Sequence, residues 1–196
     1  MEDSAVLLRL RTKRRITPRE APRLQRIVSR ILPRSVLRAA GKRVEIVSFT
    51  KPSETQLEML RKELGATMVE VLEPETGKWS DECLADPYAR LLEENMFWEA
   101  HVLGEKIWRR GIPLGRHLAV LAGAYAKAQE GLLEAAKAVL RKALGSETLR
   151  ELTDRECLER ELERVYREGV GDVAKCIDVD RLRSLVCTDN KNNKKS

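Results

Sequence analysis

Apolar positions along the chain change rhythm about a third of the way in. The stretch Ala5-Val-Leu-Leu-Arg-Leu-Arg11 is short, apolar-rich and ends in cations, which predicts a strand. Thr17-Pro18-Arg19-Glu20 then opens a helix by three signals: a capping threonine, a glutamate completing the capping box, and proline at the first helical position. Leu24, Ile27, Val28 and Ile31 follow at helical spacing and form its buried face. Ser35 to Ala39 and Arg43 to Phe49 flank Ala40-Gly41-Lys42, which predicts a hairpin with a short glycine turn. A second capping box, Ser53-Glu54-Thr55-Gln56, precedes Leu57, Leu60 and Leu64, and Gly65 stops that helix. Thr67 to Leu72 closes the set as a strand. The order β-α-β-β-α-β is that of a ferredoxin-like α/β sandwich, a four-stranded antiparallel sheet with two helices on one face.

From Asp86 onward the periodicity is helical. One run extends from Asp86 to Arg110 and breaks at Gly111-Ile-Pro113. Leu114 to Gln129 and Leu132 to Leu144 give two more helices, the latter stopped by Gly145. Ser146-Glu147-Thr148 begins a long charged helix reaching about Glu168, and a short helix is expected from about Val179 to Leu185. Ala119, Ala122, Gly123 and Ala126 form a small-residue face that lets a neighbouring helix come close. The expected fold class is therefore α+β: an α/β sandwich over residues 1–76, an all-α multi-helical array over 77–188, and a disordered tail at 189–196. Composition shifts at the polar stretch Pro74-Glu-Thr-Gly-Lys78, where the boundary is placed.

Charge sharpens this division. The net +6 is local: Met1 to Lys78 hold 17 basic and 10 acidic residues, whereas Trp79 to Ser196 hold 20 and 21. Arg9 to Arg43 alone carry thirteen cations and one acid, Glu20. Within that segment Arg19, Arg23, Arg26 and Arg30 fall in one narrow helical sector beside the apolar face. Guanidinium groups in a row repel one another unless an anion lies beside them, and arginine pairs bidentately with phosphate oxygens. Nucleic acid is the expected partner of this stripe, assisted by Lys13, Arg14 and Arg15. An acidic protein surface, in this chain or a second copy, is the competing partner, and a plain solvated face the bland one. The strands lack the aromatic pair on which RNA-recognition sheets stack bases, so the contact should be electrostatic and weakly sequence-specific.

In the helical half, Phe97-Trp-Glu-Ala-His-Val-Leu-Gly-Glu-Lys-Ile-Trp108 resembles the signature of an uncharacterised family, domain of unknown function 309, whose motif is approximately F-x-E-A-H-E-x-x-E-x-x-W. Phe97, Glu99, Ala100, His101, Glu105 and Trp108 match it, and Val102 departs from it. The resemblance covers about residues 86–144 and implies a compact helical array with no established activity. By spacing, Glu94, Trp98, His101, Glu105 and Trp108 share one helical stripe, and Glu99 points elsewhere. His101 and Glu105 at i,i+4 suit an acid–base pair or two metal ligands. The motif is not H-E-x-x-H, and spacing fixes no third ligand. His117 is the one other histidine. A buried His101, hydrogen-bonded to a carboxylate beneath the two tryptophans and fixing the helix packing, is the favoured expectation.

Other chemistry is quickly bounded. Phosphate-binding, dinucleotide-binding and nucleophile-elbow glycine motifs are missing from the sequence. Cys83, Cys157, Cys176 and Cys187 have no zinc spacing and allow three disulfide connectivities. Few glutamines and asparagines among dense charge suit a heat-adapted protein, the group in which cytosolic disulfides occur. No apolar run nears the roughly 18 residues of a membrane span, and Met1-Glu-Asp-Ser lacks the basic start of a secretory signal. The expected protein is cytoplasmic, binds no membrane and needs no cofactor or metal. It acts by binding, its helical part serving as an interaction or oligomerisation module. The alternative is a metal-dependent or acid–base enzyme centred on His101 and Glu105.

Overall fold

The computed structural model describes residues 6–72 and 83–187. The expected boundary at Pro74–Lys78, Trp79 and the tail at 189–196 lie outside the described residues. The chain is a mixed α+β protein that separates into two compact units. The first is discontinuous in sequence: to Met1–Glu75 it adds Tyr125–Ala136 and Leu162–Gly171. The second is assembled from Thr76–Ala124, Lys137–Glu161 and Asp172–Ser196.

The first unit is built on strands β1 (Val6–Ile16), β2 (Ser35–Ser48) and β3 (Ala66–Leu72), with helices α1 (Ala21–Ile31) and α2 (Glu54–Leu64). The sheet is antiparallel in the order β2-β1-β3, so β1 is central. Leu8 and Leu10 of β1 pack with Val44 and Ile46 of β2, Val28 of α1 and Leu60 of α2 in one apolar core. The alternation of a strand sends Arg9, Glu45 and Arg43 to the other face.

The four-stranded sheet expected from sequence is a three-stranded one here, and the two strands flanking Gly41 form one element, β2. That element cannot run straight. Fourteen extended residues would span about 45 Å. Yet Phe49, just past its end, donates its backbone N–H to the carbonyl of Arg34, just before its start, at 3.2 Å. Strand β2 therefore folds back on itself around Gly41, whose φ of +70° suits glycine. Its outer edge is partly closed by Gln25 of α1, which accepts from the Leu37 N–H at 2.6 Å and donates to the Ser35 carbonyl at 2.8 Å.

The second unit holds α3 (Ala85–Glu93), α4 (Phe97–Arg109), α7 (Glu147–Leu152) and α9 (Val179–Val186). Helices α5 (Leu114–Gln129), α6 (Leu133–Ala143) and α8 (Arg155–Glu168) begin or end in it and contribute their other ends to the first unit. Two expected long helices are each broken. The run from Asp86 to Arg110 divides at Asn95, which adopts a left-handed φ of 58°. The run from Ser146 to Glu168 divides at Thr153-Asp154. Backbone bonds hold that break open: Asp154 N–H donates to Cys176 and Asp178 N–H to Leu152. Asp154 then caps α8 by accepting from the Cys157 N–H at 2.9 Å. The cysteines pair as Cys83–Cys187 and Cys157–Cys176, closing the unit across its two ends and tying α8 to residues beside α9.

Candidate functional site

Arg23, Arg26 and Arg30 lie on α1 and are exposed. At 100° per residue they occupy a sector of about 60°. The opposite side of the same helix buries Leu24, Val28 and Ile31, so core packing fixes which way the arginines face. None of the three has an ion-pair partner among the described residues. Arg19, expected in the same row, precedes α1 in a 3-10 turn, and its guanidinium lies 5.6 Å from the centre of the Tyr166 ring within the same unit.

The assisting cations divide. Lys13 is exposed on β1. Arg14 is held by Glu20 at 2.7 Å, and Arg15 reaches Glu168 twice, at its carbonyl (2.8 Å) and its carboxylate (3.7 Å). The Glu20 carboxylate also accepts from the Thr17 N–H, the reciprocal half of the expected capping box. Arg14 and the Thr17 amide together hold the Glu20 carboxyl below the ordinary carboxylate range. Of the seven expected residues, Arg23, Arg26 and Arg30 thus form an exposed row and Lys13 is exposed, while Arg19 lies over Tyr166 and Arg14 and Arg15 are already paired.

On the sheet face away from the helices, Arg9 and Arg43 point their Nε atoms at Glu45, at 3.6 and 3.1 Å. The Glu45 side chain is only 1% exposed. Arg38, 4% exposed, pairs with Glu130 at 3.1 Å, and Lys127 reaches the same glutamate at 2.6 Å. Carboxylates this deep need opposite charge beside them: Glu45 has two guanidinium groups, and Glu130 a guanidinium and an ammonium. This layer was not foreseen from sequence, since isolated arginines and glutamates in strands are usually assigned to the surface. No aromatic lies among the paired positions of β1, β2 and β3.

The stripe on α4 is split between core and surface. Phe97, Ala100, Leu103 and Ile107 are buried, while Trp108 is 49% exposed. His101 keeps 26% of its side chain exposed. Its Nδ1 lies 2.9 Å from the Ala119 carbonyl of α5. A carbonyl only accepts, so Nδ1 carries the proton and donates. Nε2 faces Glu105 at 3.5 Å, and the ring stacks on Trp98 at 5.3 Å. Glu105 also accepts from Arg109 at 3.3 Å. His101 thus pins α4 to α5, but it is part-exposed rather than buried, and its 2.9 Å bond goes to a backbone carbonyl where a carboxylate was expected. Among the described residues no group of three histidine, cysteine or acidic side chains is placed to hold a metal ion, and none of their helices is long and apolar enough to cross a membrane. No family model, curated protein or solved structure matches the chain.

Proposed function

We propose that this chain is a binding protein whose first unit docks on the phosphate backbone of a nucleic acid through Arg23, Arg26 and Arg30, with Lys13 and the free edge of Arg19 beside them. The observation that carries the reading is the exposed row of three arginines with no acid paired to it among the described residues. Solvation alone favours mixed signs on a helix face, because like charges three and four residues apart destabilise the helix by tenths of a kcal/mol. An anionic partner turns that repulsion into attraction, and phosphate matches the guanidinium fork.

The first unit is proposed as ferredoxin-like, supported by the fold-back of β2 and the β-α-β-α-β order around it. Its sheet is not the recognition surface in this reading, since Arg9 and Arg43 are turned onto the buried Glu45 there. The helical half is proposed as a relative of domain of unknown function 309. Burial of Phe97 and Ala100 and the His101–Ala119 bond favour a scaffold role for that motif over acid–base or metal chemistry. A cytoplasmic location with two disulfides suits the heat-adapted composition.

Titrating the full chain with fluorescein-labelled duplex RNA, duplex DNA and single-stranded oligonucleotides across a salt series tests the reading. Affinity should fall steeply with salt and vary little with sequence. Absence of salt-dependent binding to any of them would exclude it.

A further inference from the structure

Trp108 stands apart from the aromatic residues around it. Phe97 and Tyr88 are sealed in the helical unit, and Trp98 stacks on His101, but Trp108 leaves 49% of its surface in water. Large apolar surface held in water gives up stabilisation that burial would supply. Its surroundings are cationic. Lys106, Arg109 and Arg110 flank it at the end of α4, and the Arg116 guanidinium lies over its ring at 5.8 Å. Glu105, one turn before Arg109, is shared between His101 and Arg109.

Helix stability explains only part of this charge. Lys106 and Arg109 sit in the last turn of α4, where cations complement the helix dipole. Arg116 lies in the first turn of α5, where the dipole disfavours a cation. That first turn contains no acid at all. Two adjoining helix ends thus present an open indole ring within a positive rim. An exposed π face among cations recognises a partner that offers both π faces and negative charge, and single-stranded nucleic acid does so at every nucleotide. A paired base cannot reach the ring because its faces are stacked within the duplex. Arg116 covers part of the indole, leaving the remainder to take one base while Arg110 and Arg116 meet the flanking phosphates.

We infer that Trp108, with Arg109, Arg110 and Arg116, is a stacking site for one unpaired base of a single-stranded nucleic acid. This rests on the nucleic-acid reading but uses a different unit of the chain and a different part of the ligand. The test is anisotropy titration of the full-length protein with a labelled 15-mer of deoxythymidylate and with a duplex. Trp108→Ala should weaken the single strand by about tenfold or more and the duplex little, and Trp108→Phe should restore much of the loss. Arg110→Glu/Arg116→Glu is the second variant, expected to weaken the single strand with circular dichroism unchanged. Tryptophan fluorescence of the wild type should be quenched by the 15-mer, and that quenching should shrink in Trp108→Phe. Salt-dependent binding that these variants leave intact would overturn the Trp108 site and spare the arginine row. No binding of either probe would overturn both.

Discussion

Gly104 of α4 and Ala119 of α5 approach so closely that a methyl group on Gly104 would lie 2.5 Å from the Ala119 backbone nitrogen. The contact is backbone on backbone, so no flexible side chain can move aside. Gly104→Ala should destabilise the protein by about 1–3 kcal/mol despite the better helix propensity of alanine. Gly123→Ala is the control, because the added carbon would meet only His101 Nδ1 at 3.5 Å. Urea denaturation should place the two variants on opposite sides of the wild type, or at least far apart. Equal midpoints would contradict the close crossing.

His101 bonds to Ala119 at the same crossing. His101→Ala should therefore lower stability by about 1–2 kcal/mol, the scale of one part-buried hydrogen bond with its packing. Metal analysis of purified wild type and variant should give equal, substoichiometric contents. Stoichiometric metal lost in the variant would make His101 a ligand and restore the enzymatic alternative.

Glu20 holds Arg14 at 2.7 Å and so withdraws one of the cations expected to assist the arginine row. Its carboxyl titrates below the ordinary range, first because of Arg14 and then because of the Thr17 amide. The sign follows directly: the pair stabilises the folded state above the ordinary carboxylate range and is lost as pH falls through the depressed value. At neutral pH the pair is intact, so Glu20→Gln is needed to release Arg14. Oligonucleotide affinity in that variant should rise by up to about fivefold, the worth of one exposed ion pair. Unchanged or weaker binding would place Arg14 outside the contact.

The two disulfides close very different loops, with cysteines 104 and 19 residues apart. In the chain-entropy account the short loop is worth about 3 kcal/mol and the long one about 4.7 kcal/mol. Denatured protein should take up alkylating reagent only after reduction, and reduction should lower the melting temperature. Peptide mapping should recover Cys157 joined to Cys176. A Cys157–Cys187 peptide would contradict the arrangement of α8 and α9.

Local chemistry made much of the fold legible. The Ser53 and Gln56 side chains exchange bonds with one another's backbone as their spacing predicts, and Gly65 ends α2 at φ 60°. The turn at Gly41 was legible for the same reason, since glycine alone accepts its backbone angles without strain. Neither helix break was. Glu94-Asn95 keeps the helical rhythm without proline or glycine, and the left-handed tolerance of asparagine was the one available signal. The break at Thr153-Asp154 depends on residues 176–178, far along the chain, and local periodicity carries no such information. The same holds for Glu130, whose partner Arg38 is 92 residues away. Of the candidate site, the direction of Arg23, Arg26 and Arg30 followed from the apolar face opposite them. The capture of Arg15 by Glu168 and the placing of Arg19 over Tyr166 are tertiary facts with no local trace.

The arginine row is tested most directly by the salt dependence of duplex binding in wild type and in Arg23→Ala/Arg26→Ala/Arg30→Ala. If each arginine meets one phosphate, the slope of log affinity against log salt should fall in magnitude by about 2.7 in the triple variant, at about 0.9 per contact, with the circular dichroism spectrum unchanged. A variant that folds and keeps the wild-type slope would contradict the row as the docking surface.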